Sequence, residues 1–235
     1  MTLAFVLGWL GLFGLSSSVG TPPAGRFVTG LETRERVVAL SFDDGPAPGV
    51  ADSLLALLRA RHASATFFLV GEEAAAHREE ALKLVRAGED VENHTWTHPQ
   101  LDTLDEARIR GELDRTERLL DTLGARPRRL MRPPYGVTEG ALQQTLRHTH
   151  RAGMLWDVDP DDDPDPVMSI PDILATAMRQ LHPGGVILLH PWYPENVATR
   201  AALPMLLDSL EGRGYRVVSL EQMARLHHAR WRQAP

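Results

Sequence analysis

His94 and His98 stand four residues apart in the segment His-Thr-Trp-Thr-His, and Asp43 and Asp44 follow an apolar run earlier in the chain. On a helical turn, a spacing of four residues places both imidazoles on one face. Two imidazoles and one carboxylate suit Zn²⁺ with a position left open for water. A histidine pair alone is more often a surface coincidence, but a carboxylate pair at another strand end makes a metal site the better interpretation.

Adjacent carboxylates such as Asp43 and Asp44 repel each other when both are charged, and a bound cation relieves one of them. If one binds the metal, the other can hold a water molecule. The metal lowers the pKa of its bound water, and the free carboxylate accepts the proton as this water attacks a carbonyl. The alternative is structural, because Asp-Asp-Gly-Pro is also typical of a turn with helix-capping carboxylates.

His190 ends the very apolar segment 185–189, where an imidazole is either a hydrogen-bonded core residue or a catalytic group. Expulsion of an amine requires a proton donor, and histidine is the natural donor near neutral pH. A carboxylate would be needed to keep it protonated, and Asp159 and Asp162 are the candidates. Acidic residues between 157 and 165 also suit a solvated loop, so the two interpretations remain open.

Arg132 and Tyr135 lie in a second polar segment, Arg-Pro-Pro-Tyr. Arg132 could pair with Asp43 and fix its orientation, or it could form a purely structural salt bridge. The two prolines stiffen the loop that presents Tyr135, whose backbone N–H could stabilise an oxyanion. Trp192 and Tyr193 directly follow His190, and their rings could stack on sugars or belong to a packed loop.

The elements that must position these residues are apolar runs that alternate with amphipathic helical stretches. The predicted strands are Val37–Phe42, Ala65–Val70, Asp90–Asn93, Arg129–Met131, Ala152–Val158, Val186–Leu189 and Tyr215–Ser219. The predicted helices are Val50–Arg61, Glu72–Ala87, Leu104–Leu123, Thr138–Arg147, Ile170–Leu181 and Ala198–Gly212. Alternating short strands and helices imply parallel strands with crossover helices.

We therefore expect an α/β fold, specifically a distorted, incomplete (β/α) barrel of about seven parallel strands, where eight is usual. Polar clusters follow five of the strands at their carboxyl ends, and these ends gather on one face of a parallel barrel. An open doubly wound sheet is the alternative, but the sequence carries no glycine-rich phosphate fingerprint.

Composition and the N-terminal sequence further restrict the possible metal ligands, partners and location of the protein. The chain has 235 residues, no cysteine and a net charge of −6, so thiolate ligands are excluded and a nucleic-acid partner is disfavoured. The apolar run Leu3–Leu15 is too short for a secure membrane span and resembles a signal peptide, although no Lys or Arg precedes it. We expect residues 1–25 to be a signal peptide or membrane anchor plus linker, and residues 26–235 to form one catalytic domain.

At this point the motifs can be compared with a known family. The chain resembles the polysaccharide deacetylases, the carbohydrate esterases of family 4 type that carry the NodB homology domain. The resemblance covers about residues 35–226 and rests on five segments in order: Ser41-Phe42-Asp43-Asp44-Gly45-Pro46, Asn93-His94-Thr95-Trp96-Thr97-His98-Pro99, Arg132-Pro133-Pro134-Tyr135-Gly136, Trp156-Asp157-Val158-Asp159-Pro160-Asp161-Asp162 and Leu188-Leu189-His190.

The resemblance implies a distorted (β/α) barrel, a divalent metal (Zn²⁺, with Co²⁺ as a substitute) and removal of acetyl groups from sugars. By motif position it assigns the base to Asp43, the acid to His190, and the metal ligands to Asp44, His94 and His98. It also assigns orientation of the base to Arg132, oxyanion binding to Tyr135, the acetyl pocket to Leu188, and tuning of the acid to Asp162, with Asp159 in the same motif.

Two positions depart from the family pattern. Asp163 stands where an aromatic residue is usual, so one wall of the acetyl pocket is missing or is supplied by another residue such as Trp192. Pro191 stands where an aspartate often follows the catalytic histidine. Neither change removes a proton carrier or a ligand, so we expect activity on a substrate that is not the standard one.

The expected function is hydrolysis of N-acetyl groups on a glycan polymer such as a chitin-like glycan, peptidoglycan or exopolysaccharide, by a monomeric protein outside the cytoplasm. The alternatives are an O-acetyl glycan esterase, a small-molecule amide or formamide hydrolase, and a sugar-binding module without catalysis. Two histidines and a carboxylate also suit an iron(II) oxygenase. That class, however, gives no role to Asp43 or His190.

Overall fold

The computed structural model describes residues 20–127, 129–160, 168–226 and 229–234. The predicted signal peptide or anchor therefore lies almost entirely outside the described residues. The same is true of Asp162, the residue expected to tune His190, and of Asp163. None of the helices in the described ranges is long and apolar enough to cross a membrane.

One curled sheet organises the described chain, and its strands run in the order β7-β2-β3-β4-β5-β6-β1-β9, with β8 paired to β2. The nine strands are β1 (Phe27–Glu32), β2 (Val37–Asp43), β3 (Ala65–Leu69), β4 (Asp90–Asn93), β5 (Leu130–Met131), β6 (Ala152–Met154), β7 (Val186–Leu189), β8 (Arg216–Val218) and β9 (Arg230–Gln233). All pairings are parallel except that of β1 with β9. The predicted distorted barrel of parallel strands is thus confirmed, with two additional strands, β1 and β9, at one edge.

The barrel is irregular where it closes. The segment predicted as one strand, Ala152–Val158, is divided in the structure: β6 pairs with β1, and Val158 then forms a separate bridge to Ile187 in β7. The prediction of a continuous strand was wrong because the chain changes partner after Met154. Because of this change, the segment after β6 lies beside β7, and His190 directly follows β7.

Helices pack against the sheet, most of them on its outer face. They are α1 (Ala51–Ala60), α2 (Gly71–Ala76), α3 (Arg78–Ala87), α4 (Glu106–Thr122), α5 (Leu142–His148), α6 (Ile170–Gln180), α7 (Val197–Gly212) and α8 (Leu220–Ala224). Of these, α8 packs with the cluster inside the curl. The predicted helix Glu72–Ala87 is two helices, because His77 leaves the helical region (φ −117°, ψ 47°) and its carbonyl accepts from Glu80 and Ala81 at the start of α3.

Burial of apolar side chains on both faces explains the strand patterns. All seven residues of β2 and all five of β3 are buried, as expected for central parallel strands covered by helices. Phe42, Leu40 and Phe67 face the helix layer, whereas Ala39 and Phe68 belong to the cluster inside the curl. Because side chains alternate along a strand, β2 carries Asp43 at its end on the interior side, where the site lies.

Candidate metal centre and active site

Asp44, His94 and His98 converge at the carboxyl ends of β2 and β4. One ligand atom from each lies within 4.8 Å of the others. Oδ1 of Asp44 is 3.1 Å from Nε2 of His94 and 3.3 Å from Nε2 of His98. A carboxylate oxygen facing two imidazole nitrogens is a donor set typical of a divalent transition metal.

The tautomer of His94 supports this interpretation. Nδ1 of His94 lies 2.7 Å from the carbonyl oxygen of Arg132, and a carbonyl can only accept, so Nδ1 carries the hydrogen. When the ring is neutral, Nε2 presents a lone pair to Asp44, whose buried Oδ1 accepts no hydrogen bond from the described residues. Burial opposes the charged form of His94, but Asp43 and Asp44 outweigh it and raise the pKa of the imidazole, and a cation among the three side chains would take the place of that proton.

The electrostatics of the three side chains also favour a positive charge between them. Burial by itself would raise the pKa of Asp44, but the proximity of His94, His190 and His98 outweighs burial and holds that pKa well below its usual range. Burial lowers the pKa of His98, and the charge of neighbouring His94 lowers it further. Asp44 is therefore a carboxylate and His98 favours its neutral, metal-binding form.

The histidine pair does not lie on a helical turn, so the predicted local structure was wrong. The chain from His94 to His98 is a loop in which Thr95 (φ 68°) and His98 (φ 55°) adopt left-handed backbone conformations. Glu112 in α4 holds this loop by accepting from the backbone N–H groups of Trp96 and Thr97 at 2.9 and 2.7 Å. The loop brings the imidazoles together, with ring centroids 4.9 Å apart.

Backbone strain is concentrated around the same centre. Asp44 (φ 76°) and Tyr135 (φ 59°) join Thr95 and His98 in the left-handed region, which residues other than glycine seldom occupy. Such conformations cost on the order of 1–3 kcal/mol each and persist where the surrounding structure imposes them. Four of them around one site indicate that geometry at this rim has been favoured over stability.

Asp43 is fixed by a fully buried arginine. Nη1 of Arg132 donates to Oδ1 of Asp43 at 2.6 Å, and its other nitrogens donate to the carbonyls of Met154 and Leu155. The guanidinium also lies over the ring of Phe68, 4.2 Å from its centroid. Oδ2 of Asp43 is left on the side of Asp44, His94 and His98, 3.8 Å from Nε2 of His94.

His190 faces the same centre from the end of β7. Its Nε2 lies 4.0 Å from Oδ2 of Asp44, and its carbonyl accepts from Nδ2 of Asn196 at 2.6 Å. The imidazole is about one-fifth exposed and therefore remains accessible to a substrate. The structure thus brings together all five residues that the sequence predicted to carry the chemistry: Asp43, Asp44, His94, His98 and His190.

The other predicted site residues differ in how far they are buried and in what they contact. Tyr135 is two-thirds exposed and its ring packs edge-on against His98, with centroids 4.7 Å apart. Leu188 is buried, and because Ile187 and Leu189 pack under the helices, alternation directs Leu188 to the interior of the curl. Asp159 accepts from the indole N–H of Trp156 at 2.9 Å.

Trp192 is not the open stacking surface that its position after His190 suggested. Only 4% of it is exposed, and it packs on Phe67 with ring centroids 6.0 Å apart. It also lies against Gly45, where a Cβ atom would come within 2.1 Å of the indole, which explains glycine at that position. Trp192 does line one wall of a cavity of about 350 Å³ beside Asp44 and His98.

Tyr193 is a contact that sequence reasoning did not assign. Its hydroxyl donates to Oδ2 of Asp44 at 2.9 Å, and its ring lines the same cavity. No periodicity or spacing in the sequence indicates this bond, because it depends on the conformation of the loop after β7.

Comparison with curated proteins supports the reading of these motifs. A chitooligosaccharide deacetylase from Bradyrhizobium sp. is 33% identical over 80% of this chain and 90% of that protein. The peptidoglycan-N-acetylmuramic acid deacetylase PdaC from Bacillus subtilis is 29% identical over 82% of this chain. The chain spans only 40% of the length of PdaC, whereas it spans nearly all of the Bradyrhizobium protein.

Solved structures agree in fold. A peptidoglycan N-acetylglucosamine deacetylase in complex with an N-hydroxybenzamide compound superposes with a TM-score of 0.78 at 28% identity, over 85% of this chain and 92% of the other. A family 4 pseudoenzyme from Bacillus anthracis superposes with a TM-score of 0.77 at 26% identity, over 86% of this chain and 69% of the other. The same fold thus occurs with and without activity, so function must be argued from the site.

The family described as polysaccharide deacetylase matches residues 30–154, which hold the first three of the five motifs. The other two motifs follow in the expected order, and the strands that carry them close the same curled sheet. This chain belongs to the polysaccharide deacetylase family.

Proposed function

We propose that this protein is a metal-dependent hydrolase that removes N-acetyl groups from N-acetylated sugars of a polysaccharide. One observation carries the proposal: the unsatisfied Oδ1 of Asp44 faces both imidazoles, while Asp43 and His190 lie beside the same centre. A pseudoenzyme of this fold would not need both proton carriers next to a complete set of ligands.

Asp44, His94 and His98 would hold the metal, which we propose to be Zn²⁺, with Co²⁺ as a working substitute. When bound, the cation polarises the acetamide carbonyl and lowers the pKa of the attacking water. The family is metal-dependent, and the donor set of two nitrogens and one oxygen fits that requirement.

Asp43 would act as the general base. Arg132 occupies Oδ1 of Asp43, so Oδ2 is the oxygen directed to the centre and is the one that would accept the proton from water. The bond to a buried guanidinium also prevents the carboxylate from rotating away, because three of the donors of Arg132 are anchored. A fixed base avoids reorganisation during the reaction.

His190 would act as the general acid that protonates the departing amine. Its position at the end of β7 leaves the ring partly exposed on the side of Asp44. Tyr135 would contribute its backbone N–H to the oxyanion, and Leu188 and Trp192 would form apolar walls near the acetyl methyl. Asp159 and Asp162 remain the candidates for keeping His190 protonated.

The substrate would be an acetylated glycan, because the relatives are named as deacetylases of chitooligosaccharides and of peptidoglycan. The decisive experiment measures acetate release from N-acetylated chitin oligosaccharides, peptidoglycan and an O-acetylated xylan, before and after chelation and with Zn²⁺ or Co²⁺ restored. We expect release from an N-acetylated glycan that chelation abolishes and metal restores. Activity that survives complete metal removal would contradict the mechanism, and release from xylan alone would assign an O-acetyl esterase.

We further propose that the protein acts outside the cytoplasm as a monomer, with the apolar run Leu3–Leu15 as its export signal or anchor. Acetylated cell-wall glycans would be met there. Fractionation of cells that produce the full chain, followed by sequencing of its N-terminus and measurement of its mass in solution, tests all three statements. Recovery in the cytoplasm with residues 1–25 intact would contradict the export proposal.

A further inference from the structure

The two oxygens of the Asp44 carboxylate have different surroundings. Oδ1 faces the two imidazoles and accepts no hydrogen bond from the described residues. Oδ2 accepts from the hydroxyl of Tyr193 at 2.9 Å, and Nε2 of His190 lies 4.0 Å from the same oxygen. The two oxygens therefore differ: Oδ2 accepts a hydrogen bond from the phenol, whereas Oδ1 is left to face the imidazoles.

The loop that carries Tyr193 is itself held in place. The guanidinium of Arg200, in the first turn of α7, donates to the carbonyls of Pro191, Tyr193 and Pro194. Asn196 adds a backbone bond to the Tyr193 carbonyl at 3.1 Å and a side-chain bond to the His190 carbonyl at 2.6 Å. A loop bonded at four successive or nearly successive carbonyls presents its side chain from a defined position.

We propose that Tyr193 is a positioning residue for the metal site, which holds the Asp44 carboxylate so that Oδ1 alone is presented to the cation. Without the phenol, the carboxylate could turn about χ2 and offer both oxygens to the cation. A carboxylate that is oriented in advance binds a metal more tightly, because less freedom is lost on binding.

This role differs from sugar stacking, for which a tyrosine at a rim would serve through its ring alone. Tyr193 is 39% exposed, but its hydroxyl donates to the proposed metal ligand Asp44. Removal of the hydroxyl with retention of the ring separates the two roles. Tyr193→Phe is therefore the informative variant, since it would leave stacking by the ring largely intact and remove the bond to Asp44.

The test is the Zn²⁺ affinity of the metal-free full chain, measured by competition with a chromogenic chelator. We expect Tyr193→Phe to bind Zn²⁺ about 10- to 100-fold more weakly, the usual cost of removing a partner that orients a metal ligand. Tyr215→Phe is the matched control and should bind as the parent does, because Tyr215 is a half-buried tyrosine that follows α7, packs against the apolar core and does not line the cavity beside Asp44. Equal affinity of all three proteins would overturn the proposal.

The inference rests on the metal site of the proposed function, and the assay separates the two failures. If the parent chain binds no Zn²⁺, the proposed function itself is wrong. If the parent binds and Tyr193→Phe binds equally well, only the role of Tyr193 is wrong. An intense tyrosinate-to-metal charge-transfer band in the Fe³⁺ or Cu²⁺ protein, absent in Tyr193→Phe, would also overturn it, since the phenol would then be a ligand.

A second variant tests how Tyr193 is held. Lysine carries its donors on a single nitrogen, so Arg200→Lys cannot reproduce the contacts that Nη1 and Nη2 make with the three carbonyls, and it should weaken Zn²⁺ binding through displacement of the loop. If Arg200 acts through Tyr193, the double variant should bind no more weakly than Tyr193→Phe alone. Additive losses would show that Arg200 affects the site by another route and would contradict the proposed chain of contacts.

Discussion

Asp43→Asn is the substitution that most directly tests the assignment of the base. Asparagine keeps the shape of the side chain and an oxygen that can accept from Arg132, but it cannot take a proton from water. Loss of general-base catalysis costs about 10²- to 10⁴-fold in rate, which corresponds to roughly 3–5 kcal/mol of barrier. The proposed ligands Asp44, His94 and His98 are untouched, so metal content should remain that of the parent.

The same substitution also affects stability, and the structure sets the size of that effect. Arg132 is fully buried, and the variant removes the charge that balances it. Breaking a buried ion pair costs about 3–5 kcal/mol. Because the carbonyls of Met154 and Leu155 still accept from the guanidinium, we expect the lower end. At about 2–4 °C per kcal/mol for a chain of this size, the melting temperature should fall by roughly 6–12 °C.

The assay must therefore separate a slow enzyme from an unfolded one. Acetate release is measured at a temperature where circular dichroism shows both proteins folded, with metal content determined on the same samples. Asp52→Asn is the control, because Asp52 is an exposed partner of Lys83 and such pairs contribute little. If Asp43→Asn is folded, loaded with metal and within a few-fold of the parent rate, Asp43 is not the base.

Two further outcomes are expected. His94→Ala should abolish stoichiometric Zn²⁺ binding, because the described site retains only two ligands; undiminished metal content would exclude His94 as a ligand. Burial raises the pKa of Glu89 to about 7, so the folded state retains a proton that the unfolded state loses above about pH 4.5. The free energy of unfolding should thus fall by up to about 3 kcal/mol between pH 4.5 and 7. In urea titrations, the free energy of unfolding of Glu89→Gln should not show this fall between pH 4.5 and 7. A fall as large as that of the parent would contradict the assignment to Glu89.

The central part of the fold could be predicted from the sequence because its strands are buried on both faces. Asp90–Asn93 and Val186–Leu189 begin and end where the apolar pattern indicated. The first and last strands could not be predicted in this way. In β9, Arg230 and Gln233 are exposed and only Trp231 is buried, so this antiparallel edge strand has no apolar run to mark it. Its pairing with β1 is set by tertiary contact.

The convergence of the polar residues was predictable for a topological reason. In a parallel sheet the carboxyl ends of all strands lie on one side, so motifs that follow β2, β4, β5 and β7 must share a face. This reasoning needs no knowledge of the loops. The reasoning failed for Asp157, which follows β6. Asp157 accepts from the backbone N–H of Val186 and pairs with Arg232 of β9, because the chain after β6 changes its pairing partner from β1 to β7.

Details that depend on loop conformation could not be predicted from the sequence. The spacing of His94 and His98 suggested a helical turn, yet a loop held by Glu112 achieves the same convergence through left-handed residues. Trp192 and Tyr193 were equivalent as sequence, but one packs on Gly45 and Phe67 while the other reaches Asp44. Residues 191–196 form a series of turns, in which neighbouring side chains point in different directions, and only the conformation of this loop decides which one enters the site.

The site is also where the chain departs most from what would stabilise the fold. It combines a buried arginine, adjacent carboxylates, four residues with left-handed backbone and a carboxylate oxygen without a donor. Each is unfavourable alone, and in an ordinary core none would be expected. Arg132 offsets one carboxylate, and a cation among Asp44, His94 and His98 would offset the other, so each acid has its own positive partner. That division explains why two adjacent aspartates can have different chemical roles.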